Sequence, residues 1–195
     1  MPKRKPKKAT STRKPADTTA GLRKALNAQS KPELVSVLLE LAQVDRKILR
    51  QLTARFDVTP APTELIVATR RAIADATDFD EREINQNFDY DYEAYDEVKR
   101  NLARLTASGQ LRLAMELSLE LMKEGSRQVE MSDEGLMTDD IEDCLSVVLE
   151  AVKKCDLPKD EVIIWCSAML ENDRVKFIAQ KPLQSLRDRA VSAKT

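Results

Sequence analysis

The chain contains no histidine. That removes Ser-His-Asp and Cys-His catalysis, imidazole acid–base chemistry and histidine-containing zinc sites. Glycine is scarce, at 4 in 195 residues, and neither a GxxxxGK(S/T) nor a GxGxxG loop occurs. Little backbone is therefore suited to cradling a phosphate. Aromatic residues amount to 4%, and so few turn and strand formers argue against an all-β sandwich. The three cysteines, Cys144, Cys155 and Cys166, are odd in number and form no CxxC pair. Neither a disulfide framework nor a structural zinc is expected. They read as buried, reduced thiols, which suits a cytoplasmic protein. No apolar stretch approaches the length of a membrane span, and the basic start leads into polar residues, so neither a span nor a secretory signal is expected.

What is present is helix-forming and charged: 42% hydrophobic residues and 33% charged ones, more charge than the usual quarter. The net charge of −1 hides an asymmetry. Lys3, Arg4, Lys5, Lys7, Lys8, Arg13 and Lys14 give residues 1–15 a charge of +7 with no acid, which leaves 25 bases against 33 acids, or −8, in the rest. Residues 1–17 show no apolar periodicity and read as a disordered basic tail, because such a segment buries too little surface to offset its ordering entropy.

Helical signals follow. Ser30-Lys31-Pro32-Glu33 is a helix start, with a capping Ser, an early Pro and a Glu three residues on. Leu34, Val35, Val37, Leu38, Leu39 and Leu41 are apolar nearly all round, the pattern of a central, buried helix. Ile48, Leu49, Leu52 and Phe56 fall on one face of the next. Thr63 is placed to cap a fourth helix, and residues 77–88 form a polar, acidic connection. Tyr92, Tyr95, Val98, Leu102 and Leu105 recur at spacings of three and four and lead to Gly109, placed as a helix C-terminal glycine. Leu111, Leu113, Met115, Leu117, Leu119 and Leu121 alternate as a strand would, yet the Leu, Met, Ala, Glu and Arg content favours a helix ending near Gly125. Asp139 and Glu142 can form a capping box, Asp156-Leu157-Pro158 starts another helix, and Pro182 opens the last.

The expected fold is therefore all-α. Antiparallel helical hairpins would form a bundle or a short α-solenoid of tetratricopeptide-like layout behind the disordered basic tail. Residues 18–195 form one helical domain, and any division into sub-units gives 18–77 and 88–191.

No catalytic residue, metal ligand or cofactor is assigned. Asp89-Tyr90-Asp91-Tyr92-Glu93, extended by Asp96 and Glu97, is a candidate carboxylate site but lacks the glycine and terminal Glu of an EF-hand. The simpler reading is a solvated helix N-terminus whose acids favour the macrodipole. Tyr92 and Tyr95 can pack one side of that helix with Tyr90 stapling its start. Alternatively Asp89, Tyr90, Asp91, Tyr92 and Tyr95 form a surface for a protein partner, since tyrosine supplies contact area at low entropy cost. Trp165 reads as core. Lys3, Arg4, Lys5, Lys7, Lys8, Arg13 and Lys14 can neutralise nucleic-acid phosphates without reading sequence or can remain solvated, and the run Lys3-Arg4-Lys5-Pro6-Lys7-Lys8 also looks like a nuclear-import signal. The leading reading is a non-enzymatic helical scaffold or adaptor for protein–protein interaction. Nucleic-acid association through the tail is the alternative. Partner identity and oligomeric state stay open.

Residues 33–172 resemble an uncharacterised bacterial helical domain that occurs alone or in proteins carrying a SWIM-type zinc finger. The resemblance rests on Leu38-Leu39-Glu40-Leu41-Ala42 with Asp45 soon after, on Phe88-Asp89-Tyr90, on Gly109 before a Leu-rich helix, and on Ser132-Asp133-Glu134-Gly135. It implies an all-helical, tetratricopeptide-like scaffold with no known activity and no functional residues to carry over. The finger would need Cys-x-Cys and Cys-x-His, and the sequence has neither.

Overall fold

The structure is a computed structural model and describes residues 16–56, 58 and 61–192. Among the described residues there are nine α-helices and no strand. They are α1 (Ala16–Asn27), α2 (Lys31–Val44), α3 (Arg46–Arg55), α4 (Pro62–Ala76), α5 (Tyr92–Ala107), α6 (Leu111–Met131), α7 (Thr138–Lys154), α8 (Lys159–Asn172) and α9 (Gln180–Ser192). A single π-helical turn, Arg82–Gln86, lies in the link between α4 and α5. The all-α expectation holds. No helix among the described residues is long and apolar enough to cross a membrane.

The chain divides into two compact units, Met1–Leu49 and Arg50–Thr195, with the boundary inside α3. Residues 77–88, where a division was expected, lie within the second unit.

In the first unit, α1 begins at Ala16 and so takes in the last two positions of the expected tail. The start of α2 matches its sequence signature. Ser30 N–H donates to Glu33 Oε2 at 2.7 Å, and Glu33 N–H donates to Ser30 Oγ at 3.5 Å. This reciprocal pair satisfies two N–H groups that the first helical turn leaves unpaired. Asp45 separates α2 from α3, and its Oδ1 accepts from Lys47 N–H at 2.8 Å. The expectation that α2 is buried fails. Only Ala42 is buried, while Val35, Val37, Leu38, Leu39, Leu41 and Val44 are exposed. An apolar circumference creates a tendency to be covered, but burial needs a neighbour, and α1 does not pack along α2.

The second unit holds the core. Neighbours in sequence pack on one another from α4 through α7 and again at α8 and α9, and helices also pack on the next but one: α4 on α6 and α6 on α8 in one row, α5 on α7 and α7 on α9 in the other. That alternation in two layers is the layout of stacked antiparallel hairpins. The segment with the ambiguous leucines settles as α6. Leu111, Ala114, Met115, Leu117, Ser118, Leu121 and Met122 are all buried, which is a helical stripe rather than an alternation. The helix does not end at Gly125 but runs on to Met131. A Cβ on Gly125 would lie 2.9 Å from Ile141 Cδ1, so this glycine lets α7 approach α6 closely. Gly109 (φ +77°) and Gly135 (φ +61°) do occupy turn positions that need the left-handed region.

Buried polar contacts fix the register of the layers. Tyr95 Oη donates to Gln128 Oε1 at 2.6 Å. Gln128 Nε2 in turn donates to the carbonyls of Ala76 at 3.0 Å and Asp78 at 2.9 Å. One side chain thus ties α6 to α5 and to the end of α4. Trp165 is core, as expected, and its indole N–H donates to the Met115 carbonyl at 3.0 Å. Four sequence expectations shift. Ala61, not Thr63, precedes α4, and its N–H donates to Glu64 Oε2 at 3.2 Å. Asp139 lies inside α7 rather than capping it. Phe56 lies just past the end of α3 rather than on its face, and is exposed. Of the three thiols, Cys144 and Cys166 are buried but Cys155 is exposed.

Candidate functional site

The start of α5 carries the Asp/Tyr cluster, and the structure divides it into an inner and an outer part. Asp91 is the helix cap, with its Oδ1 accepting from Ala94 N–H at 3.1 Å. Its other oxygen pairs with Arg50. The Arg50 guanidinium, 6% exposed, also reaches Asp75 Oδ2 at 3.2 Å and lies 4.0 Å from Glu97 Oε2. Gln51 Nε2 donates to Glu93 Oε1 at 2.9 Å. Asp91, Glu93 and Glu97 are thus turned onto a buried arginine and a glutamine of α3, while Asp89 and Asp96 are exposed. Burial raises the Glu97 carboxyl above its ordinary range, opposed by the nearby Arg50 and Arg100 charges. Among the described residues, no group of three or more cysteine, aspartate or glutamate side chains is arranged to hold a metal ion.

The tyrosines divide in the same way. Tyr95 is 1% exposed and committed to Gln128. Tyr90 is half-buried, donates its hydroxyl to Asp140, and meets the Tyr95 ring edge-on at 6.2 Å between centroids. Burial, reinforced by that hydrogen bond and by the Asp140 and Asp139 charges, pushes the Tyr90 hydroxyl well above the ordinary tyrosine value. Tyr95 is therefore part of the core, whereas Tyr90 keeps part of its ring open to water. The outer part is Tyr92, which is exposed rather than packed, with Asp89 and Phe88 beside it in sequence. Phe88 has φ +55°, a conformation a bulky side chain adopts only at some cost. What the cluster leaves for a partner is a small aromatic and acidic edge.

The thiols offer no reactive centre in the core. Burial pushes Cys144 up to about 12 and Cys166 up to about 11. Cys144 Sγ donates to the Tyr95 carbonyl at 3.3 Å.

Among the described residues, α2, which its sequence pattern assigned to the core, carries six large apolar side chains open to water. Exposure of its side chains runs from 40% at Leu38 to 89% at Val44. Val35, Val37, Leu38, Leu39, Leu41 and Val44 together leave on the order of 500 Å² of apolar surface to water, comparable with the largest patch of an ordinary monomer. The signal was in the sequence: a helix apolar all round, with charge only at Lys31, Glu33 and Glu40. The sequence could not say whether this chain or another covers it. Lys3, Arg4, Lys5, Lys7, Lys8, Arg13 and Lys14 lie outside the described residues.

No family model, curated protein or solved structure matches the chain. The likeness to the SWIM-associated helical domain therefore rests on the residues quoted for it.

Proposed function

We propose that the chain is a non-enzymatic helical scaffold that binds protein partners. The observation that carries this reading is the exposed apolar circumference of α2. Exposed apolar surface of this extent marks interaction sites in soluble proteins. Asp75, Asp91 and Glu93 are spent on Arg50 and Gln51, which favours support over chemistry.

Affinity capture with the full-length chain in cells of its native host, after in-cell crosslinking, tests the reading. The wild type should retain a defined protein that the doubly substituted Val35→Glu, Leu39→Glu chain loses. Equal retention by both, or retention of nothing by either, would overturn it.

A second reading rests on the seven cations of residues 1–15, which face no acid in that stretch. Such a segment suits the phosphate backbone of a nucleic acid. Binding to duplex or single-stranded nucleic acid should fall steeply with salt. It should vanish when the seven residues are replaced by serine. Binding that survives those substitutions would place it elsewhere.

A further inference from the structure

We propose that Glu97 is a proton-dependent clasp on α3, holding that helix on α4 and α5 more tightly when its carboxyl is neutral than when it is charged. The inference goes beyond the scaffold reading and is independent of what covers α2.

A surface helix ordinarily docks through an apolar stripe. α3 does not. Its buried residue is Arg50, while Ile48 and Leu52 are half-buried and Leu49 is exposed. Among the described residues, no helix packs along α3 in the way that α4 packs on α5. The anchor is therefore a guanidinium. A buried charge holds only as firmly as its counter-charges and hydrogen bonds offset its desolvation. α3 is also the helix within which the first compact unit gives way to the second, so the clasp acts at that junction in the chain.

The three carboxylates around Arg50 are not equivalent. Nη1 donates to Asp75 Oδ2 at 3.2 Å, and Nη2 donates to Asp91. Nε makes no hydrogen bond among the described residues, and Glu97 Oε2 stands 4.0 Å away from it. Asp75 and Asp91 thus occupy the cation, and Glu97 is the surplus acid. Its side chain is 25% exposed, so its charge loses most of its water without gaining a hydrogen bond from Arg50. Glu93, one turn earlier on α5, accepts from Gln51 instead. Burial of Glu97 outweighs the attraction of Arg50 and Arg100, Asp75 and Asp91 add repulsion, and the carboxyl keeps its proton above the ordinary range.

The direction of the coupling follows. When α3 lifts away, Glu97 regains water and its ordinary affinity for a proton. A carboxyl that holds its proton more tightly in the docked state favours docking when it is protonated. The contribution is fully present below its ordinary range and is lost as pH rises through the docked value. Neutral Glu97 leaves the guanidinium to Asp75 and Asp91 and takes one poorly solvated charge out of the junction.

Amide hydrogen exchange of the full chain, followed by mass spectrometry from neutral pH down into the carboxylate range, tests the proposal. Protection is taken against the intrinsic exchange rate at each pH, with residues 141–152 of α7 as the internal reference for local against global opening. In the wild type, protection of residues 46–55 should rise severalfold relative to α7 as pH falls. Glu97→Gln should show the higher protection already at neutral pH and lose the rise, because its amide does not titrate. Arg50→Ala should leave residues 46–55 poorly protected at every pH, with α7 still protected where the rest of the unit stays folded. Wild-type protection that is flat or falls on acidification overturns the proposal. So does a rise that Glu97→Gln retains in full, which places the titrating group elsewhere. Protection in Glu97→Gln below that of the wild type at neutral pH overturns it too, since the charged carboxylate is then the better anchor. Undiminished protection in Arg50→Ala would show that α3 is held by other contacts.

Discussion

Helices α2 and α5 are of similar length, and the one with more charge is the one buried. α5 carries six charged residues in sixteen, yet Ala94, Tyr95, Val98, Leu102 and Leu105 on it are buried. α2 carries three in fourteen and buries only Ala42. The difference lies in neighbours. α5 has its apolar groups on one stripe, and α4, α6 and α7 pack against it. α2 spreads its apolar groups around the circumference and no helix of its own unit packs along it. Apolar content gives a tendency toward burial. Only a facing element converts it into stability.

The sharpest way to break that comparison is to truncate one leucine on each helix. Leu102 is fully buried, and Leu102→Ala should destabilise the second unit by about 3 kcal/mol through lost transfer energy and the cavity left behind. Leu39 is 58% exposed, and Leu39→Ala should shift stability by less than about 0.5 kcal/mol. Chemical denaturation of the two variants at low protein concentration makes the check. Comparable losses would mean that α2 is covered by its own chain.

Next in size is the arginine that fastens α3 to α4 and α5. Arg50→Ala leaves Asp75, Asp91 and Glu97 without their buried cation, and should cost about 3 kcal/mol, because a broken buried ion pair strands its partners. An unchanged denaturation midpoint would show those carboxylates to be solvated instead.

A smaller effect is expected for Tyr95→Phe. The substitution removes the donor to Gln128 while that amide still serves Ala76 and Asp78. Leaving one buried acceptor unpaired should cost about 1–2 kcal/mol, read as a lower melting temperature. Tyr92→Phe, on the exposed ring of the same helix, should leave the melt unmoved.

The smallest effect carries a pH sign. Glu97 has a folded-state pKa raised above its unfolded value, chiefly by burial. A carboxyl of that kind adds stability when protonated. Its contribution is fully present below the unfolded pKa and is lost as pH rises through the folded one. Glu97→Gln should therefore slightly raise the melting temperature at neutral pH, with the gain shrinking as pH falls through the carboxylate range. A loss at neutral pH would mean that attraction to Arg50 outweighs the desolvation of Glu97.

Much of the fold was legible as pattern. The 3.6-residue stripe of α5, the glycine at 109 and the core position of Trp165 in the second unit, and the capping pair at Ser30 in the first, all depend on local chemistry that a sequence displays. The ambiguous leucines of α6 were resolved by helix propensity, since Leu, Met, Ala and Glu lack the β-branching that strands favour. Three features escaped because they depend on what lies across from a residue. Gly125 reads as a helix end but is a contact point for Ile141. Asp91 and Glu97 read as a solvated acidic cluster, but Arg50, far away in sequence, turns them inward. α2 reads as core because its residues are those of a core, and a sequence does not state which chain supplies the cover.

Amide hydrogen exchange followed by mass spectrometry at high dilution tests that last point most directly. Residues 31–44 should exchange much faster than residues 92–107. Strong protection of residues 31–44 at high dilution, equal to that of α5, would contradict an open α2.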